Sequence, residues 1–157
     1  MKLFLKELSD LLRQNKLTMG TAESCTGGSI AATMTSVAGS SAYFWGGVVA
    51  YQNEVKHKVL GVSNQDLIAY GAVSEPVVRQ MAEGACRVIG CNCTVATSGV
   101  AGPGGGSPQK PVGTVWIAAS LKGNTIAQCC HFKGDRAAVI QQSVQTAMSM
   151  LIHLIRL

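Results

Sequence analysis

Aromatic residues make up only 5% of the 157-residue chain, too few for a platform on which successive nucleobases would stack. Charge is sparse as well, at 13%. The 13 lysines and arginines are scattered, among them Lys2, Lys6, Arg13, Lys16, Lys56, Lys58, Lys110, Lys122, Lys133 and Arg136, and they form no basic block of the kind that tracks a nucleic-acid backbone. Nucleic acid is therefore not an expected partner. The formal net charge of +5 suits a small acidic substrate and demands nothing larger. No apolar run is long enough to span a bilayer, so no membrane partner is expected either. The first residues alternate leucine with Lys, Glu and Asp, as an amphipathic helix does and a signal peptide does not. The six cysteines, Cys25, Cys86, Cys91, Cys93, Cys129 and Cys130, include no C-x-x-C pair, which removes the zinc and thioredoxin signatures. They are expected to be free thiols of a cytoplasmic protein, with Cys91 and Cys93 alternating on the start of a strand.

Several catalytic signatures are missing too. Neither glycine cluster supplies the Gly-Lys-Ser/Thr of a phosphate-binding P-loop, and no G-x-G-x-x-G follows the first strand. A nucleophile elbow needs G-x-S-x-G, whereas Ser24 lies in Ala-Glu-Ser-Cys-Thr and Ser98 in Ala-Thr-Ser-Gly-Val. His57, His131 and His153 lack ligand spacing, so no metal site is expected.

What is present is a chain of one-domain length, 47% apolar, with no repeat, linker or composition shift, read as a single domain over residues 1–157. Leucines at helical spacing predict a helix over 1–16. A strand over 17–22 and a small-residue helix over 29–37 follow. The aromatic segment Tyr43-Phe-Trp45 predicts a hydrophobic anchor in Phe44 and Trp45, with Tyr43 free to face a ligand. A strand over 46–51 leads to a helix capped by Asn53 and closed by Gly61, a second helix capped by Ser63, and a longer one opened by Ser74-Glu-Pro76. A strand over 93–98, a glycine-rich loop over 99–111, a hairpin of strands 112–120 and 125–132 turning at Lys122-Gly-Asn124, and a helix from Arg136 to Leu154 complete the order. Strands separated by helices pair in parallel, and the hairpin makes the sheet mixed. The expected fold is α/β: a three-layer α/β/α arrangement with a mixed, mostly parallel sheet and a late antiparallel hairpin.

Two stretches carry possible chemistry. Thr21-Ala-Glu-Ser-Cys-Thr-Gly-Gly28 sits on a strand-to-helix turn. A helix start presents unpaired N–H groups and a positive dipole end, and glycines allow close approach, so an anion or a developing oxyanion is expected there. The plainer role is a helix cap by Ser24 or Thr26. In Tyr51-Gln-Asn-Glu-Val-Lys56, a lysine in the first helical turn faces the positive dipole end, with Lys58 nearby. Both fields favour a neutral amine, which serves as a general base. A serine on a helix-start turn together with a neutral lysine makes a serine–lysine nucleophile arrangement.

Thr21-Ala-Glu-Ser-Cys-Thr-Gly-Gly28, Ala38-Gly-Ser-Ser41, Gly71-Ala-Val-Ser-Glu-Pro-Val77, Ser98-Gly-Val-Ala-Gly-Pro103, Lys110-Pro-Val-Gly-Thr-Val-Trp116 and Gly134-Asp-Arg136 occur in that order. Together they resemble the CinA C-terminal domain family, the nicotinamide-nucleotide amidohydrolases, in its stand-alone form. The resemblance implies hydrolysis of the carboxamide of nicotinamide mononucleotide to nicotinic acid mononucleotide and ammonia, a salvage step for NAD synthesis. It implies Ser24 as nucleophile, Lys56 as base and Tyr51 as proton relay or orienting group, with no metal or organic cofactor. The oxyanion is then expected on backbone N–H groups of Cys25, Thr26, Gly27 and Gly28. For the substrate phosphate the candidates are Arg136, Lys110 and the glycine loop at Gly102. Two other readings stand beside this one: a non-catalytic nucleotide-binding module, and a thiol hydrolase using Cys25. A homo-oligomer is expected, with the segment 43–45 as a candidate interface.

Overall fold

A computed structural model describes the whole chain, residues 1–157. Its elements are α1 (Lys2–Gln14), β1 (Met19–Glu23), α2 (Ser29–Thr35), β2 (Phe44–Val49), α3 (Asn53–Leu60), α4 (Asn64–Tyr70), α5 (Glu75–Ile89), β3 (Cys93–Gly99), β4 (Thr114–Leu121), β5 (Asn124–His131) and α6 (Arg136–Arg156), with a single 3-10 turn at Ser40–Ala42. The strands form one sheet in the order β2-β1-β3-β4-β5. β1 runs parallel to both neighbours, while β4 is antiparallel to β3 and to β5. Four strands therefore point one way and β4 alone is reversed, which is the mixed, mostly parallel sheet expected.

Helices cover both faces, because side chains alternate across a strand. On β4, Val115, Ile117 and Ala119 join Leu8, Leu12, Ile30, Met34, Met148 and Leu151 in a core under α1, α2 and α6. Ala118 joins Leu60, Leu67, Val77, Val78 and Met81 in a second core under α3, α4 and α5. β3, central in the sheet, is buried from Cys93 through Ser98. That double burial is why its sequence reads as a run of small and apolar residues rather than an alternation.

Local signals account for most boundaries. Lys122 and Gly123 both take positive φ, as a two-residue hairpin turn requires. Ser63 caps α4 by accepting the Asp66 N–H at 3.2 Å. Gly61 closes α3 with φ +72°. Ser74 precedes α5 but donates its hydroxyl to Gly71 O instead of capping. Cys91 stands just ahead of β3, half-buried, and all six cysteines are free.

In the aromatic segment Phe44 packs against the core as expected, while Tyr43 and Trp45 exchange their expected roles. Tyr43 is the anchor, 1% exposed, its hydroxyl donating to Ser9 Oγ at 2.9 Å and its ring under the Arg13 guanidinium at 5.1 Å. Trp45 is 56% exposed. A phenol can be buried only where its O–H finds a partner, and Ser9 of α1 supplies one that the local sequence does not reveal.

α5 packs closely on the end of α3 at Gly84, where an added Cβ would overlap the Leu60 carbonyl oxygen. Backbone cannot yield as a side chain can. Gly84→Ala is expected to destabilise by about 1–3 kcal/mol, as overpacked sites do. The check is the urea midpoint, with the slope unchanged.

Candidate active site

The parallel strands β1, β2 and β3 end at one edge of the sheet, at Glu23, Val49 and Gly99. Ligand crevices of open α/β sheets form at such carboxyl ends. Here a cavity of about 240 Å³ opens between Ser24 and Cys25 after β1, Tyr51, Asn53 and Lys56 around the start of α3, Ala72 and Val73 before α5, Ser98, Gly99 and Ala101 at the end of β3, and Arg136.

Ser24 is fixed by its own backbone, whose N–H donates to Thr97 O of β3 at 3.0 Å. Its Oγ lies 3.0 Å from Lys56 Nζ. Lys56 is 1% exposed and also donates to the Tyr51 carbonyl at 3.1 Å. It has no carboxylate partner. Burial therefore pushes its pKa below the ordinary 10.5, with nearby Cys25 acting the other way.

The direction matches the sequence expectation but the cause differs. α3 begins at Asn53 with Gln52 as its cap, so Asn53 is helical rather than capping and Lys56 sits a full turn in. Lys58 points to solvent and pairs with Glu54 at 2.6 Å. Desolvation, and neither the dipole nor Lys58, favours the neutral amine.

Tyr51 meets Lys56 through its carbonyl, while its hydroxyl accepts from Arg136 Nη2 at 3.1 Å. The ring is 56% exposed. The serine and lysine thus touch directly, with no phenol between them. Arg136 also donates through Nη1 to Gly102 O at 2.8 Å, so it straps the glycine loop across the mouth of the cavity. Beyond it, a second hollow of about 740 Å³ shares Ala101 and Arg136 and is lined by Pro103, Val112, Gly134, Asp135, Ala137 and Ile140 at the start of α6.

Lys110 lies elsewhere: its ammonium donates to Tyr70 O at 2.6 Å, at the carboxyl end of α4. The Thr26 hydroxyl turns away from the cavity and donates to Glu23 Oε1 at 2.6 Å. Gly27 and Gly28 provide positive φ, +57° and +103°, that lets the chain turn into α2.

The start of α2 does not await an external anion, as the sequence reading expected. Its first free N–H groups are taken by the chain's own carboxylate: Ile30 N–H donates to Glu23 Oε1 at 2.8 Å and Ala31 N–H to Glu23 Oε2 at 3.0 Å. In the turn itself, Gly27 N–H donates to Ser24 O, while the N–H groups of Cys25, Thr26 and Gly28 have no backbone acceptor, that of Cys25 lying against its own thiol. Those of Cys25 and Thr26 follow Ser24 directly in the chain.

Cys25, though adjacent, is a poor nucleophile. It is buried, and desolvation raises its thiol from 9.0 to about 11. The thiolate favoured by a helix start in the sequence reading is disfavoured here, because Glu23 has already claimed the positive end of α2 and burial penalises a second charge.

Sequence reasoning missed Ser98 and Asn53 as lining residues and Glu23 as the cap of α2. For Ser98 a signal existed: it ends a buried strand at the glycine loop.

A profile described as the CinA C-terminal domain matches residues 2–155. The nicotinamide-nucleotide amidohydrolase PncC of Escherichia coli K12 is 46% identical over 147 residues, covering 93% of this chain and 89% of its own. A putative competence-damage inducible protein of Clostridium beijerinckii is 47% identical over 141 residues, which are 90% of this chain and 34% of that longer one. Among solved structures, a competence-damaged protein (CinA) superfamily protein from Klebsiella pneumoniae 700603 superposes with a TM-score of 0.94 at 37% identity, covering 98% of this chain and 96% of its own. The competence/damage inducible protein CihA from Agrobacterium tumefaciens gives 0.89 at 41% identity, over 94% and 95% of the two chains.

Proposed function

The chain belongs to the CinA C-terminal domain family, and from that premise we propose that it hydrolyses the carboxamide of nicotinamide mononucleotide to nicotinic acid mononucleotide and ammonia. The observation that carries the chemistry is the 3.0 Å contact between Ser24 Oγ and a buried lysine with no counter-ion. A neutral Lys56 accepts the Ser24 O–H through its lone pair while still donating to Tyr51 O. Ser24 Oγ then attacks the amide carbon and its proton passes to Lys56 Nζ. The oxyanion is received by the N–H groups of Cys25 and Thr26, and one such donor lowers the barrier by about 3 kcal/mol. Lys56 returns the proton to the leaving ammonia. Water, deprotonated by the same amine, cleaves the acyl-enzyme and frees Ser24. Tyr51 acts by orienting Lys56 through its carbonyl and Arg136 through its hydroxyl.

A cavity of about 240 Å³ suits the pyridine ring and leaves the ribose and phosphate to the adjoining hollow at α6. Arg136 stands between the two and has no carboxylate partner, which favours it over Lys110 as the phosphate contact. Charge-assisted contacts to phosphate exceed neutral ones in strength. Arg136→Ala is expected to raise KM for the mononucleotide about tenfold or more, and KM for the riboside far less. Steady-state ammonia release from both substrates is the check, and equal changes would remove Arg136 from phosphate binding.

The alternative is a nucleotide-binding module of the same fold without turnover. It predicts binding of the mononucleotide and no ammonia.

A further inference from the structure

We propose that Glu23 is a positioning residue for the reaction: its buried carboxylate sets the backbone turn that offers Cys25 and Thr26 N–H to the oxyanion. The inference rests on the serine–lysine reading above. Glu23 is 0% exposed and does not line the cavity. Both of its oxygens are engaged: Oε1 accepts from the Thr26 hydroxyl at 2.6 Å and Ile30 N–H at 2.8 Å, and Oε2 accepts from Ala31 N–H at 3.0 Å.

If capping α2 were the only need, a serine or aspartate at its cap position would meet it locally. That position is Gly28, which has no side chain, and the first turn of α2 carries no acidic residue. The cap comes instead from the end of β1, across the turn that holds Ser24. The carboxylate thereby ties three points together: the strand end, the middle of the turn at Thr26, and the helix start.

A second tie fixes the proton order. The Thr26 hydroxyl has one hydrogen and gives it to Glu23, so the Thr97 hydroxyl, 2.8 Å away, must donate to Thr26 Oγ1. Thr97 also receives the Ser24 N–H on its carbonyl at 3.0 Å. With Thr26 held by its side chain and Ser24 by its backbone, the peptide N–H groups of Cys25 and Thr26 are held with the turn. Neither has a backbone acceptor in the chain. An oxyanion hole must be set before the reaction to be effective, and Glu23 and Thr97 are what set this one.

Glutamine at this position keeps the shape and loses the match, because it has one acceptor oxygen where two are used, and its amide N–H₂ would face a backbone N–H. Glu23→Gln is expected to lower kcat about tenfold to hundredfold, the scale of a small misplacement of reacting groups. KM for the mononucleotide should stay within about twofold, and the apparent pKa of the pH–rate profile should not move, since neither substrate nor Lys56 is touched. Thr97→Val, which removes only the outer hydroxyl, should give a smaller loss of kcat with the same unchanged KM and pKa.

The test adds a readout that does not depend on the natural substrate. A fluorophosphonate forms a bond from Ser24 Oγ to phosphorus with loss of fluoride, the serine proton going to Lys56, and its phosphoryl oxygen occupies the oxyanion position. Labelling of Ser24, followed by intact mass below the melting temperature of each variant, should slow in Glu23→Gln by the same factor as kcat. Wild-type labelling and kcat in both variants would overturn the proposal, as would a raised KM or a shifted pKa in place of the kcat loss. A wild type that is labelled at Ser24 yet releases no ammonia would sink the substrate assignment, while the ratio of labelling rates still decides the role of Glu23.

Discussion

Ser24→Ala is expected to fold, bind nicotinamide mononucleotide and release no ammonia, with kcat down by about 10⁶-fold, the scale of losing a nucleophile that acts as a unit with its base. Cys25→Ala is expected to keep most of the activity. The two residues are adjacent on one turn, so only their surroundings separate them. Ser24 Oγ touches Lys56 Nζ at 3.0 Å. The Cys25 thiol is buried, with its pKa pushed up to about 11, so at neutral pH it is almost wholly protonated. In the proposed mechanism its part beside the serine is to pack and to present a backbone N–H. Measurement of ammonia release from both variants decides the matter. A dead Cys25→Ala with an active Ser24→Ala would replace the serine–lysine account with a thiol hydrolase.

Lys56→Arg is expected to lose on the order of 10⁴-fold in kcat, because a guanidinium does not give up its proton and cannot serve as a base. In the proposed mechanism the working form is the neutral amine. Activity should therefore fall as pH is lowered, through an apparent pKa below the ordinary 10.5. Stability carries the same sign. The unfolded chain binds the Lys56 proton from about pH 10.5 downward, whereas the fold resists it until a lower pH. Between those values the unfolded state holds more protons, so stability declines as pH falls and levels off once both states are protonated. Lys56→Met removes a buried ionisable group and keeps its aliphatic bulk. It should be inactive yet as stable as wild type or more so, by up to about 2 kcal/mol at pH 7. A pH–rate profile flat across the neutral range, or an arginine variant with wild-type turnover, would take lysine out of the mechanism.

Element order was readable because each boundary carries its own chemistry within a few residues. The Lys122-Gly123 turn, the Ser63 cap and the Gly61 stop are of that kind. What depends on partners distant in sequence was not readable. Tyr43 is buried because Ser9, thirty-four positions away, takes its O–H. Glu23 caps α2 from seven and eight positions upstream, which no local spacing announces, and the only hints are an uncapped Gly28 and a carboxylate closing a buried strand. Ser24 and Lys56 were legible as separate candidates on two strand-to-helix turns. Their contact across thirty-two positions is a product of β1 and β2 lying side by side in parallel, each ending at the same edge of the sheet. The amine's depressed pKa was anticipated from local fields, but it arises from burial, which only the folded chain supplies.

The most direct measurement is ammonia released by the wild-type protein from nicotinamide mononucleotide, nicotinamide riboside and NAD at equal concentration. The serine–lysine site, with a small cavity for the pyridine ring and Arg136 at its mouth, predicts ammonia and nicotinic acid mononucleotide in equal amounts from the mononucleotide, less ammonia from the riboside that lacks the phosphate, and least from NAD. Saturable binding of the mononucleotide with no ammonia from any of the three would contradict the account and leave a nucleotide-binding module in its place.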